Sequence, residues 1–311
     1  MAPEDRLRAA PLARRWAHAA KPASWPKLLV PFALGQAIGL GAGQGGSLRA
    51  LGAGLAFTVL DLLFIVFLND WGDREVDAIK RRMFPKGCSP KTIPDGILPA
   101  GHLLGAGLLA GALALALAFG AGAWLDRPLL GPFALASLGI FVAYTLPPVR
   151  ANYRGGGELL EMVGVGIALP WMQAYLQGGA LLVDGLWLLP GFALLALASA
   201  IASGLADERS DRRGGKTTFV SRFGNRIGRR AVEGLTFAGA IAWLATPALP
   251  LWVTAIPATV ALFEAGRLLA ESAAAVTDAF GAQKRYKARM HAAMWRGALA
   301  ATILLAWRAW S

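Results

Sequence analysis

LGAGLAFTVLDLLFIVFLNDWGDREVD, from Leu51 to Asp77, joins the two features that decide how this chain folds. Leu51 to Leu68 carries one charge, Asp61, and matches the roughly 17–25 apolar residues a helix needs to cross a bilayer. The nine residues that follow hold four carboxylates, Asp70, Asp73, Glu75 and Asp77. A membrane-crossing helix that ends in a cluster of acids is therefore expected here.

The rest of the chain repeats the first feature. Of its 311 residues 56% are hydrophobic and only 16% charged, where soluble proteins carry roughly a quarter charged residues. Marking the apolar runs by hydropathy gives about nine spans. They lie near 27–43, 49–69, 101–123, 128–147, 158–177, 182–205, 231–247, 250–269 and 293–310. Lipid offers backbone polar groups no partner, so such runs are read as helices. The expectation is an all-α integral membrane protein, about nine transmembrane helices around a central cavity with Asp-rich cytoplasmic caps. Residues 1–311 read as a single membrane domain, with 1–26 a basic cytoplasmic segment lying on the membrane surface.

The net charge of +12 does not point to nucleic acid, because its placement follows alternate loops. Arg and Lys gather before the first span and after the second, fourth, sixth and eighth; Arg49 and Arg127 are the exceptions. This asymmetry predicts a cytoplasmic N-terminus and cytoplasmic acid clusters. The single cysteine, Cys88, rules out an internal disulfide and a multi-cysteine metal site. Composition and the want of a transit-like leader suggest a bacterial plasma membrane.

The acidic residues recur at one other helix end, as DERSD from Asp207 to Asp211 after the sixth run. If the helices run on past the bilayer, Asp70, Asp73 and Asp77 share one face, and so do Asp207 and Asp211. Stacked carboxylates repel, so a cation is expected between them. Oxygen donors without His or Cys point to magnesium, manganese or calcium rather than zinc, and magnesium takes one or two carboxylates and leaves positions for phosphate oxygens. Arg74, Lys80, Arg209, Arg212 and Lys216 interleave with the acids and are candidates for the remaining phosphate charge.

N-D-x-x-D-x-x-x-D at Asn69–Asp77 and D-x-x-x-D followed by GGKT at Asp207–Thr218 resemble the paired aspartate motifs of the UbiA superfamily of intramembrane prenyltransferases. KPASWPKLLVPFALG (Lys21–Gly35) is similar to the family's first helix, especially in its quinone-biosynthetic branch. YTLPPVR (Tyr144–Arg150) and GGGE (Gly155–Glu158) resemble further family segments, the latter in dihydroxynaphthoate prenyltransferases. The resemblance implies that Asn69, Asp70, Asp73, Asp77, Asp207 and Asp211 bind Mg2+ and a prenyl diphosphate, the aspartates being catalytic. It implies diphosphate contacts at Lys216 and Arg150, to which the charge pattern adds Arg74, Lys80 and Arg212. The segment RRMFPKGCSPKTIPDGIL (Arg81–Leu98) departs from the family's pattern, keeping only Lys91, Pro94 and Gly96, which leaves the acceptor open.

The implied reaction is metal-assisted loss of diphosphate and capture of the allylic cation by an electron-rich carbon, most simply of a small aromatic acceptor. Tyr144, Trp71, Phe64 and Phe67 are candidates to wall the cation, and Glu158 and Glu161 to hold an acceptor hydroxyl or take its proton. Asp61 falls on the face opposite Asp70 and reads equally as a packing group or a functional carboxylate. A cyclase acting on the diphosphate alone would carry the same motifs. A CDP-alcohol phosphotransferase needs a segment this chain lacks, and a transporter site belongs nearer the bilayer midplane than these clusters.

Overall fold

The computed structural model describes residues 2–42 and 46–310; Met1, Ser311 and the expected end of the first run at residue 43 lie outside them. Among the described residues the long helices are α1 Pro26–Leu40, α2 Leu48–Gly72, α3 Ala100–Trp124, α4 Leu130–Thr145, α5 Gly157–Gly178, α6 Asp184–Gly204, α7 Asn225–Leu244, α8 Leu251–Ser272 and α9 Phe280–Trp310. Among the described residues β structure is confined to an isolated bridge between Arg154 and Thr217. Five helices, α2, α3, α5, α6 and α8, are long and apolar enough to cross a membrane by length and composition. α1 and α4 are apolar but shorter, at 15 and 16 residues. The last helix begins at Phe280, well before the run near 293–310, because its first turns are basic and amphipathic.

The buried side chains form two cores. One gathers α6–α9 around Phe192, Trp243 and Tyr286; the other gathers α2–α4 around Phe57, Phe64 and Leu68. α1 and α5 contribute to both, so their seam joins the halves. The seam is tight because Gly35 and Gly39 of α1 face α5 directly: a Cβ on Gly35 would sit 2.3 Å from the Pro170 carbonyl oxygen. Small residues at such spacing let membrane helices approach without the hydrophobic drive that water supplies. Gln36 Nε2 donates to Gln173 Oε1 at 2.8 Å across the same seam, and Gln173 Nε2 reaches Thr58 Oγ1 of α2 at 3.3 Å. Outward-facing Leu109, Phe119, Phe263 and Ile303 are more than half exposed, as suits a lipid-facing surface.

Within α5 the turn Gly164–Ala168 widens to a π-helix just before Pro170. Proline cannot donate to the preceding turn, and a wide turn absorbs that loss.

The acid clusters depart from the expected continuous helices. α2 ends at Gly72, and a separate helix, Arg74–Met83, starts beyond Asp73. α6 likewise ends at Gly204, and Asp207 precedes a short helix, Glu208–Arg213. Each cluster thus straddles a bend, which turns its carboxylates across the mouth of the bundle instead of stacking them along one helix face.

Candidate active site

Asn69, Asp73, Asp207 and Asp211 line one cavity of about 350 Å³ between the two cores. They come from segments more than 130 residues apart in the chain. Lys216 and Thr218, on the loop after the second cluster, join them on the rim. Deeper walls are mostly apolar, with Leu62, Val66, Ile140 and Val165 from three helices.

Nearly every carboxylate at the mouth is matched to a lysine. Asp73 accepts from Lys216 Nζ at 2.7 Å and from Asn152 Nδ2 at 3.4 Å. Asp77 accepts from Lys91 Nζ at 2.6 Å. Asp70 pairs with Lys21 and also accepts from Thr92 Oγ1 at 2.7 Å, and Asp207 pairs with Lys80. Burying two ions together costs several kcal/mol of desolvation per ion, so each carboxylate needs its partner to be tolerated.

The charges respond to this packing. Burial alone would raise the Asp207 carboxyl, but Lys80 and Lys91 beside it hold it below the ordinary carboxylate value. Asp211 lacks a lysine of its own; burial and the neighbouring Asp207 push its carboxyl up to about 8. Burial opposes the Lys91 and Lys216 charges, yet Asp77 and Asp73 hold these ammonium groups above the usual lysine range. Burial also pushes Asp77 up, against the pull of Lys91.

The surrounding loops are tied to one another. Thr217 N donates to the Tyr153 carbonyl at 3.2 Å, joining the loop after α4 to that after α6. The N-terminal helices Pro3–Arg8 and Leu12–Ala19 lie over the Arg81–Leu98 segment: Arg15 Nε donates to the Ile97 carbonyl at 2.5 Å, and Arg81 pairs with Glu4 at 2.7 Å. The N-terminal helices therefore pack on the segment whose Lys91 and Thr92 bond Asp77 and Asp70.

A family model for the UbiA prenyltransferase family matches residues 28–308. The chain belongs to the UbiA prenyltransferase family. It is an intramembrane prenyltransferase and a multi-pass membrane protein. No curated protein matches it by sequence. Among solved structures it is similar to a UbiA homolog from Archaeoglobus fulgidus bound to DMAPP and Mg2+, at 17% identity and TM-score 0.67, covering 90% of this chain and 99% of that one. The same homolog bound to GPP and Mg2+ gives 16% identity and TM-score 0.66 over the same shares. A structure of digeranylgeranylglyceryl phosphate synthase gives 14% and 0.57, covering 91% of this chain and 98% of that chain. These likenesses are of fold.

Against this UbiA scaffold the expected site residues fall into three groups. Asn69, Asp73, Asp207, Asp211, Lys216, Tyr144 and Glu158 line the cavity. Asp70, Asp77 and Lys80 stand just behind the rim, bonded to Lys21, Lys91 and Asp207. Trp71, Arg74, Arg150 and Arg212 are engaged elsewhere. Arg74 lies over the Trp71 ring and donates to the Trp71 carbonyl at 2.7 Å. Arg212 Nε donates to the Ser221 carbonyl at 2.6 Å. Arg150 donates to the Gly72 carbonyl at 2.9 Å and stacks on Tyr153, so it clasps the end of α2.

Tyr144 stacks on Phe141, with centroids 5.8 Å apart, on the cavity wall. Phe64 packs edge-on against Phe141 and Phe67 against Trp16, both inside the core. Glu158 Oε1 accepts from Phe219 N at 2.7 Å, and Glu161 pairs with Lys27 at 2.5 Å. Lys21, Lys91, Thr92 and Asn152 complete the carboxylate contacts without having stood out as site residues; Lys21 heads the segment KPASWPK, and Lys91 and Thr92 lie within Arg81–Leu98.

Proposed function

We propose that this prenyltransferase moves a prenyl group from an isoprenoid diphosphate to a small aromatic acceptor, with Mg2+ as cofactor, and that one membrane domain carries the whole reaction. The observation that carries this reading is the meeting of Asp73, Asp207 and Asp211 at the mouth of a cavity whose deeper walls are apolar. Such a cavity suits an amphiphile with an anionic head and a hydrocarbon tail.

The donor set fits a magnesium ion. Among the described residues no three His, Cys, Asp or Glu side chains converge to hold a metal alone. Magnesium instead takes one or two carboxylates and completes its shell with water and phosphate oxygens. Asn69, Asp70, Asp73 and Asp77 would hold it on one rim, Asp207 and Asp211 on the other. When bound, Mg2+ neutralises charge on the diphosphate and makes it a better leaving group.

The chain's own residues do the rest. Lys216 and Lys80, now on Asp73 and Asp207, are placed to donate instead to diphosphate oxygens. Arg150 supports the site from behind by fixing the end of α2. As the C1–O bond breaks, the Tyr144 face stabilises the allylic cation, and Leu62, Val66 and Ile140 exclude water from it. The acceptor carbon bonds to C1 and its proton leaves to a base at the mouth, for which Glu158 and Glu161 are the nearest carboxylates along α5. The positive-inside pattern supports a cytoplasmic mouth and N-terminus, in a bacterial plasma membrane.

The test is prenyl transfer by membranes containing the protein, with Mg2+, a series of isoprenoid diphosphates, and dihydroxynaphthoate, hydroxybenzoate and a glyceryl phosphate as acceptors. The expected result is Mg2+-dependent prenylation of an aromatic acceptor, abolished by Asp73→Ala and by Asp207→Ala. Prenylation of the glyceryl phosphate alone would overturn the aromatic assignment. Diphosphate release without any prenylated acceptor would move the protein to the cyclase reading.

A further inference from the structure

Two polar side chains sit where the cavity should be most apolar. Asp61 of α2 is 4% exposed and Ser137 of α4 is 8% exposed, and both line the cavity. Asp61 Oδ1 and Ser137 Oγ have no hydrogen-bond partner. A buried carboxyl and a buried hydroxyl left this way are costly, and in a membrane protein such groups are kept for a role.

Their depth follows from the helices. α2 and α4 run in the same direction: Phe64 packs on Phe141, and one helix end further on Gly72 meets Thr145. Asp61 lies three residues before Phe64 and Ser137 four before Phe141, so both lie about one turn further from the mouth than that aromatic pair. No other residue of α2 or α4 that lines the cavity lies further from the mouth. They form its floor on that side, with Leu169 of α5 beside them.

We propose that Asp61 and Ser137 are a polar stop that sets the length of the prenyl chain, a role that rests on the isoprenoid diphosphate reading above. Asp61 lies about 18 Å along α2 from Asp73, at about 1.5 Å per residue. A diphosphate takes up about 6 Å of that span, and each isoprene unit about 5 Å when extended, from ordinary bond lengths. Two units fit above the floor. A third would press hydrocarbon onto Asp61 and Ser137 and strip any water from them with nothing in exchange. The site is therefore one for ten-carbon donors in preference to fifteen- or twenty-carbon ones.

The experiment is binding of unreactive thiolodiphosphates of five, ten, fifteen and twenty carbons to the purified protein with Mg2+, without acceptor. Wild type should bind the ten-carbon analogue at least about tenfold more tightly than the twenty-carbon one. Asp61→Val with Ser137→Ala should remove most of that preference, whereas Asp61→Asn, which keeps a polar floor, should retain it. Equal binding of all lengths by wild type, or an unchanged preference in the double variant, overturns the proposal. If the double variant unfolds, Ser137→Ala alone should still weaken the preference by about threefold, and no change there overturns it too. Failure of every analogue to bind would instead sink the diphosphate reading itself, along with this one.

Discussion

Adding one methyl group at Gly35 should loosen the whole bundle, while the same change at Gly105 should not. At Gly35 the new Cβ would stand 2.3 Å from the Pro170 carbonyl oxygen, 2.7 Å from Gln173 Cβ and 2.8 Å from Pro170 Cα. Ordinary contact begins at 3.4 Å, and two of these three atoms are backbone, which cannot rotate away. α1 and α5 would have to part by about 1 Å along a seam that joins both cores. Overpacking of this kind costs about 1–3 kcal/mol. At Gly105 on α3 nothing lies within 4 Å, and alanine is a better helix former than glycine by about 0.8–1 kcal/mol. Thermal unfolding in a mild detergent should therefore show Gly35→Ala several degrees below wild type and Gly105→Ala at or above it. Equal midpoints for the two variants would refute the claim that backbone contact across α1 and α5 holds the halves together.

Three further outcomes follow from the mouth of the cavity. Because Asp211 is held at about 8 in the folded protein, above the ordinary carboxylate value near 4, it keeps its proton at neutral pH and must release it to meet a cation. Mg2+ binding with a diphosphate should strengthen as pH rises toward 8 and release a proton at pH 7, read by calorimetry in buffers of different ionisation enthalpy; binding without proton release would contradict it. By the same linkage, the stability that protonated Asp211 contributes should be lost as pH rises through about 8. Arg150→Ala should lower the unfolding midpoint by the equivalent of about 1–3 kcal/mol, since the Gly72 carbonyl and the Tyr153 ring lose one shared partner. A midpoint within error of wild type would show that the clasp contributes nothing.

The all-helical membrane fold was readable because lipid leaves the backbone few choices: a long apolar run has no other way to satisfy its own polar groups. The acid clusters drew attention because carboxylates packed at two helix ends need something of opposite sign beside them. Their partners did not. Lys21 and Asp70 are 49 residues apart, Lys80 and Asp207 127, and Lys216 and Asp73 143; only packing of the helices brings such pairs together. The break at Asp73 was hidden because Arg74–Met83 has good helical periodicity of its own. Asp61 shows a different limit. Counting 100° per residue from Asp70 places it on the opposite face, but the cavity is bounded by Ile65, Asn69 and Asp73, and Asp61 shares the face of the first two. Asp70 turns aside to Lys21 and Thr92 and was the wrong reference point.

The Arg81–Leu98 segment carries a convenience for experiment. Cys88 is the chain's one thiol, half-buried on the segment whose Lys91 holds Asp77, with Arg81 Nη1 3.8 Å from its sulfur. A thiol-reactive dye will therefore label wild-type protein at one place, with no cysteines to remove first. Its emission and its rate of attachment report directly on whether that segment lifts when a substrate enters and settles when product leaves.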